Sequence, residues 1–134
     1  MELQVGVKIL LRNKEGKFLL LHRNWEKYPE VKKDQSWDIV GGRIEKGTPL
    51  LENLKREIFE ETKLNLTEEP KLIAAQDIMR TDKHVVRLTY LGQIEGEPVL
   101  DEYHDSFKWV KPEDIKKEAG LDPYFREVFN KLDL

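Results

Sequence analysis

Three glutamates near the middle of the chain, Glu57, Glu60 and Glu61, have the residue type and spacing of a metal site. On a helical wheel of about 100° per residue, Glu57 and Glu61 fall on the same side as Leu54 and Ile58, where apolar residues are expected. Like charges one turn apart repel, the helix dipole disfavours anions at its C-terminal end, and burial adds a further cost. A sequence that breaks these rules together favours a site that binds a cation.

These three carboxylates are the kind of ligand that binds a hard cation. Carboxylate oxygens are the ligands that Mg²⁺ prefers, with Mn²⁺ as an alternative. Arg56 directly precedes Glu57 and lies one turn from Glu60, so its guanidinium can hold a carboxylate with two parallel hydrogen bonds. The alternatives are a solvated acidic patch paired with lysines and, for Arg56, an ordinary salt bridge on the helix surface.

The elements that must position these carboxylates mix strands and helices without a regular alternation. Thr48 is expected to cap a helix, with Pro49 at its first position, that runs to about Thr62. Apolar runs predict strands at residues 3–11, 18–21, 37–40, 72–79, 85–92 and 107–110, and further helices begin at residues 112 and 123. Gly41 and Gly42 are expected to end the third strand. This pattern predicts an α+β fold and one domain over residues 1–134.

Composition excludes several classes of function. The 23 basic and 26 acidic residues give a net charge of −3, which argues against a protein that grips a nucleic acid polymer through its phosphates. The chain contains no cysteine, so disulfides, Cys-ligated zinc and thiol nucleophiles are excluded. No signal peptide and no apolar run long enough to span a bilayer are visible, so a cytoplasmic protein without a membrane partner is expected.

The stretch GGRIEKGTPLLENLKREIFEETKL, residues 41–64, resembles the Nudix box. That motif is Gly, five residues, Glu, seven residues, then Arg-Glu-apolar-any-Glu-Glu-any-Gly-apolar. The matching positions are Gly42, Arg56, Glu57, Ile58, Glu60, Glu61 and Leu64. Thr48 stands in place of the first Glu of the motif, and Lys63 stands in place of its second Gly. The resemblance implies an α/β/α sandwich in which a mixed central β-sheet packs beside the Nudix-box helix.

The two departures have separate consequences. Thr48 removes one carboxylate from the site, and Glu45 on the same loop is a partial substitute. Lys63 occupies a position where the chain usually turns left-handed, which costs about 1 kcal/mol for a residue with a side chain. The alternative is that the helix continues and ends at Asn65.

The resemblance also implies a mechanism and a set of site residues. Glu57, Glu60 and Glu61, with the carbonyl of Gly42, would bind Mg²⁺, and water would attack a diphosphate in a nucleotide to release a nucleoside monophosphate. A carboxylate outside the box often completes such sites. Glu102 is the first candidate and Asp105 the second, although either can be a solvated loop charge. His104 in the same loop is interpreted as a surface residue, with water positioning as the alternative.

Residues outside the box are candidates for substrate contact. Arg23 is expected to reach a substrate phosphate, Arg80 and Arg87 are alternatives, and Trp25 is expected to stack on a base. No second signature of a coenzyme A, NADH, ADP-ribose or dinucleoside polyphosphate hydrolase is present. The interpretation is therefore a nucleoside or deoxynucleoside triphosphate pyrophosphohydrolase, acting on a small molecule as a monomer or homodimer. The alternatives are a catalytically inactive Nudix-fold nucleotide-binding module, suggested by Thr48 and Lys63, and an interaction domain that binds no metal.

Overall fold

A computed structural model describes residues 1–132 of the protein. Within these residues the strands are β1 Glu2–Arg12, β2 Phe18–Arg23, β3 Trp37–Asp38, β4 Val40–Arg43, β5 Lys71–Met79, β6 Lys83–Gln93 and β7 His104–Val110. The α-helices are α1 Leu50–Thr62, α2 Pro112–Ile115 and α3 Pro123–Asn130. None of the helices in this part of the chain has the length and apolar character needed to cross a membrane.

The strands form one mixed sheet in the order β3-β2-β1-β6-β5, with β4 paired to β1 and β7 paired to β2. β1 and β6 are parallel over their whole length, whereas the other pairs are antiparallel. Alternate residues of β1 face opposite sides: Val7 and Ile9 pack with α1, and Leu10 packs with α3. Helices therefore cover both faces, which confirms the α+β prediction and the mixed central sheet of a Nudix-type sandwich.

The prediction that Gly41 and Gly42 end a strand is wrong. β4 runs through both glycines from Val40 to Arg43 and pairs with β1, while β3 is a separate short strand that pairs with β2. Gly41 has φ 147°, and a Cβ there would lie 2.1 Å from the carbonyl oxygen of Val7. The residue is glycine because the backbone of β1 leaves no room for a side chain.

The predicted N-cap of α1 is also wrong. Pro49 occupies the cap position, and no side chain caps the helix there. The buried amide of Asn53 performs the anchoring instead: its Nδ2 donates to the carbonyl oxygens of Thr48 (2.8 Å) and Pro49 (3.1 Å), and its Oδ1 accepts from the backbone N–H of Glu45 (3.0 Å). One side chain inside the helix thus fixes the loop that leads into it.

The end of α1 at Thr62 is as predicted, and Lys63 takes the left-handed conformation with φ 61°. Replacing Lys63 with Gly is expected to raise the free energy of unfolding by about 1 kcal/mol, because glycine adopts this conformation without the steric cost of a Cβ. Urea unfolding measures the change. Lys55→Gly, on the exposed side of the same helix, is the control and should lower stability by about 1 kcal/mol. A loss of stability in Lys63→Gly would contradict this account.

Candidate active site

The carboxylates of Glu57 and Glu61 lie where the second half of α1 packs against β4. Glu61 is buried, with 5% of its surface exposed, and its Oε2 accepts a hydrogen bond from the backbone N–H of Gly41 at 3.3 Å. Glu57 lies over the next glycine, since a Cβ on Gly42 would be 2.8 Å from both oxygens of the Glu57 carboxylate. The two glycines thus allow the backbone of β4 to approach two acidic side chains.

The electrostatics of this pair favour a bound cation. Burial raises the pKa of Glu61 well above its usual value; Lys8 opposes the shift and the charge of Glu57 adds to it. Two adjacent carboxylates with little solvent cannot both ionise without cost, and a divalent cation removes that cost. Their oxygen donors and the nearby Gly42 backbone fit a hard cation. Across residues 1–132, however, no three His, Asp or Glu side chains already converge as a metal site.

Glu60, the third predicted metal ligand, is more exposed than Glu57 and Glu61. Its side chain is 53% exposed and accepts from Arg56 Nη1 at 3.3 Å. Arg56 also lies 3.5 Å from Glu57 and donates to Asn53 Oδ1 at 3.0 Å. Although burial opposes it, the hydrogen bond to Glu60 and the surrounding charges raise the pKa of Arg56. Arg56 therefore holds two of the glutamates to the residue that anchors the loop before α1.

Arg56→Lys is expected to lower the rate of substrate hydrolysis about tenfold, because a lysine keeps the charge but cannot bond to Glu57, Glu60 and Asn53 from one planar group. The change should fall mainly on kcat, since the substrate itself is not contacted. Steady-state kinetics with saturating Mg²⁺ measure it, and Lys55→Arg on the exposed helix face is the control. A rate equal to that of the unmodified protein would show that Arg56 forms only a surface salt bridge.

The loop before β7 places its acids differently from the sequence prediction. Glu102 borders the same cleft as Glu57, but its side chain is 63% exposed and pairs with Lys27 at 3.1 Å. Asp105 points elsewhere and pairs with His22 Nδ1 at 2.7 Å. Neither of these two predicted carboxylates contacts the buried pair.

Asp101 and His104 are the loop residues that face Glu61. The prediction of a surface histidine is wrong, because only 9% of the His104 side chain is exposed. Its Nδ1 lies 2.8 Å from Asp101 Oδ1, and its Nε2 lies 3.7 Å from Glu61 Oε1. Burial lowers the pKa of His104, against the opposing effect of Asp101. Asp101 thus orients an imidazole toward the carboxylate pair.

Two clefts meet at this point. The first, which we call the acidic cleft, has a volume of about 760 Å³ and is lined by Glu57, Glu60 and Glu61 of α1 and by the loop before β7. The second has a volume of about 680 Å³ and is lined in part by the first halves of β1 and β6. They share Tyr28, Gly41, Gly42, Arg43 and His104. Burial and the charge of Glu61 raise the pKa of Tyr28 to about 12, so its hydroxyl stays protonated at the junction.

The second cleft, which we call the basic cleft, has a buried ionic floor. Asp38 Oδ2 lies 2.9 Å from Lys8 Nζ and 2.5 Å from Arg23 Nη2. Burial alone would raise the pKa of Asp38, but Lys8 and Arg23 outweigh it and hold the pKa below its usual value. Asp122, which caps α3, pairs with Arg87 at 3.5 Å, and burial next to Asp38 raises its pKa. Arg23, predicted to bind a phosphate, is therefore largely engaged by protein carboxylates.

Of the other predicted substrate contacts, Arg80 borders a cleft and Trp25 does not. Arg80 borders the basic cleft and is exposed. Trp25 borders neither cleft: its Nε1 donates to Ser36 at 2.7 Å and Lys33 lies over its ring. The sequence reasoning missed Lys8 and Asp38, although a charged residue inside each of two otherwise apolar strands was a visible signal.

The family model described as NUDIX domain matches residues 2–132. The chain belongs to the Nudix family. It is a Nudix hydrolase, and enzymes of this family act on small molecules that contain a nucleoside diphosphate and generally use divalent metal ions. No curated protein gave a significant match.

Solved structures agree with the family assignment. The MutT protein from Methanosarcina mazei Go1 is 27% identical, with a TM-score of 0.83 over 97% of this chain and 92% of that chain. The MutT NUDIX hydrolase from Burkholderia pseudomallei is 23% identical, with a TM-score of 0.81 over 99% of this chain and 100% of that chain. An Ap4A hydrolase from C. elegans is 19% identical, with a TM-score of 0.72 over 96% of this chain and 93% of that chain. The last two show a shared fold.

Proposed function

We propose that this Nudix hydrolase uses Mg²⁺ to hydrolyse a nucleoside or deoxynucleoside triphosphate to the nucleoside monophosphate and pyrophosphate. The observation that carries the proposal is the Glu57–Glu61 carboxylate pair, buried against Gly41 and Gly42 where the acidic cleft opens into the basic cleft. A cation bound there would lie beside a positively charged channel that suits the rest of an anionic substrate.

The residues have distinct roles in this proposal. Glu57, Glu61 and the carbonyl of Gly42 would hold Mg²⁺, with Glu60 as a further ligand. When bound there, the cation would neutralise charge on the phosphates and would lower the pKa of the attacking water. Arg56 orients the glutamates, and Gly41 fixes Glu61 through its backbone N–H. Water would add to the α-phosphorus while the bond from that phosphorus to the oxygen bridging the α and β phosphates breaks. The electron pair of the broken bond leaves with pyrophosphate, and a proton of the water is released to solvent.

The loop carboxylate of the site is reassigned in this proposal. Asp101 takes the place of Glu102 and Asp105, because Asp101 hydrogen-bonds the imidazole that faces Glu61. Glu102 remains at the edge of the acidic cleft, where its pair with Lys27 is exposed and contributes little to stability.

A panel of nucleotides with Mg²⁺ tests the proposal. It contains triphosphates, oxidised triphosphates, nucleotide sugars, ADP-ribose and dinucleoside polyphosphates, and phosphate-bearing products are measured. Turnover of triphosphates above the other classes supports the proposal. Turnover of only another class would show that the protein is a hydrolase but that triphosphates are not its substrate.

The binding module remains a second candidate because Thr48 removes a carboxylate that the Nudix box usually carries. Thr48→Glu separates the two functions. If the protein binds Mg²⁺ and nucleotide without turnover, and Thr48→Glu then produces turnover, the natural protein is a binding module. If the unmodified protein already turns over substrate, this second candidate is excluded.

A further inference from the structure

The basic cleft carries more positive charge than a neutral sugar and base require. Seven lysines and arginines border it against three acids, in a chain whose net charge is −3. Three of these cations, Lys8, Arg23 and Arg87, form the ionic floor with Asp38 and Asp122. Positive charge therefore exceeds negative charge even within the ionic floor.

The outer cations have no carboxylate partner in the part of the chain that the structure describes. They are Lys32, Arg43, Arg80 and Lys83, and none of them forms an ion pair with a carboxylate of residues 1–132. Glu30 is the one acid of the cleft border outside the ionic floor, and it cannot balance four cations. A concave surface lined by charge of one sign attracts a ligand of the opposite sign.

Gly6 forms an open seat between one outer cation, Arg43, and one cation of the ionic floor, Arg87, which pairs with Asp122 and lies over the ring of Tyr124. In the sheet it pairs with Arg43 of β4 on one side and with Arg87 of β6 on the other. Residues paired across strands point to the same face, so both guanidinium groups belong to the face on which Gly6 has no side chain. A Cβ on Gly6 would meet only one atom within 4 Å, the carbonyl oxygen of Gly42 at 3.6 Å. The space above Gly6 is therefore free for a ligand.

The distance from the seat to Gly41, which contacts Glu61, follows from the register of β1 and β4. Gly6 is two residues from Lys8, which pairs with Gly41, and this separation is about 7 Å along a strand. It is comparable to the distance between the 5′ and 3′ phosphates of one nucleotide. Arg80 and Lys83 border the same cleft beyond Gly6 and add positive charge at its outer end.

We propose that the seat above Gly6, between Arg43 and Arg87, binds a second phosphate carried on the ribose of the substrate, with Lys83 and Arg80 supporting it from the outer end of the cleft. Bonds between a guanidinium and a phosphate are charge-assisted and paired, which suits this geometry. The preferred substrate is then a nucleoside 5′-polyphosphate that is also phosphorylated on its ribose. This inference rests on the proposed function only in treating the basic cleft as the nucleotide site.

Equilibrium binding of nucleotides without a scissile diphosphate tests the seat independently of hydrolysis. Calorimetry compares AMP with adenosine 3′,5′-bisphosphate and adenosine 2′,5′-bisphosphate in Mg²⁺. At least one bisphosphate should bind about tenfold more tightly than AMP, and the gain should shrink with added salt. The two bisphosphates show which ribose position the seat accepts.

The double variant Arg43→Gln/Lys83→Gln should abolish this tenfold gain, so that the bisphosphates and AMP bind with nearly equal affinity. Lys71→Gln/Lys116→Gln removes the same charge from exposed positions outside the cleft and should keep the gain. Equal affinities of AMP and both bisphosphates in the unmodified protein, or a gain that survives in Arg43→Gln/Lys83→Gln, would overturn the inference. If triphosphates are hydrolysed but no bisphosphate gain is found, the inference fails alone. If no nucleotide binds and none is hydrolysed, the proposed function fails with it.

Discussion

Glu61→Gln is expected to lower turnover by about a thousandfold, equivalent to about 4 kcal/mol of transition-state stabilisation, while making the metal-free protein more stable. The loss of activity follows because an amide keeps the shape of Glu61 but cannot bind Mg²⁺ as an anion. The gain in stability, on the order of 1 kcal/mol near pH 8, follows because the buried charge is removed.

The pH dependence of this effect has a definite sign. The pKa of Glu61 is raised in the folded state above the value of 4.5 that an unperturbed glutamate has. The folded protein therefore binds a proton more tightly than the unfolded chain, so the free energy of unfolding falls as pH rises above that value, until pH passes the pKa in the folded state. The stability difference between Glu61→Gln and the unmodified protein should grow over the same range.

Thermal unfolding at about pH 5 and about pH 8, each with and without Mg²⁺, measures these linked effects. Mg²⁺ should raise the Tm of the unmodified protein more at the higher pH, because it binds the ionised carboxylate, and it should raise the Tm of Glu61→Gln much less. Glu102→Gln is the matched control and should leave the Mg²⁺ effect intact. An equal Mg²⁺ effect in Glu61→Gln would remove Glu61 from the metal site.

The second large effect is expected at Asp38. Asp38→Asn leaves Lys8 and Arg23 buried without their carboxylate partner, which costs about 3–5 kcal/mol in comparable cases. A small domain has about 5–15 kcal/mol of stability, so this change consumes much of it. Urea unfolding measures the loss. Asp114→Asn, which breaks an exposed pair with Lys117, is the control and should cost less than about 1 kcal/mol.

At low pH the unmodified protein should also lose the stability that the ionised carboxylate of Asp38 provides. Its pKa is lowered in the folded state, so this stability is present above the usual value of 3.8 and is lost as pH falls through the lower pKa of the folded state. If Asp38→Asn changes stability by less than about 1 kcal/mol, the ionic floor is not a structural element of the cleft.

The sequence predicted the end of α1 and the residues that interrupt its apolar face, because these signals are local. The apolar positions around Leu54 and Ile58 recur at helical spacing, and Glu57 and Glu61 stand out by interrupting that pattern. The strands other than β4 were predicted to within a few residues for the same reason, since alternation and turn residues act over short distances. β4 was missed because a pair of glycines usually breaks a strand, whereas here Gly41 and Gly42 pair with β1. Lys63 was placed correctly at the helix end because the left-handed position is a property of the helix terminus.

What the sequence could not predict depends on contacts between distant segments. Lys8 and Asp38 are 30 residues apart and meet only because β1 pairs with β2 and β4 while β2 pairs with β3. The site proposed here uses Asp101 where the sequence favoured its neighbour Glu102, because the direction of a loop side chain is decided by the surface on which the loop packs. The sequence favours Thr48 as the cap, because the side-chain hydrogen bonds of Asn53 to the loop before α1 form only in the folded protein.

We propose above all that the site beside Glu57 and Glu61 cleaves a triphosphate between its α and β phosphorus atoms. Phosphorus NMR of a deoxynucleoside triphosphate incubated with the protein and Mg²⁺ tests it most directly, with Glu61→Gln in parallel. The account predicts that monophosphate and pyrophosphate appear in equal amounts and that neither forms with the variant. Release of orthophosphate and a diphosphate, or equal turnover by Glu61→Gln, would contradict it.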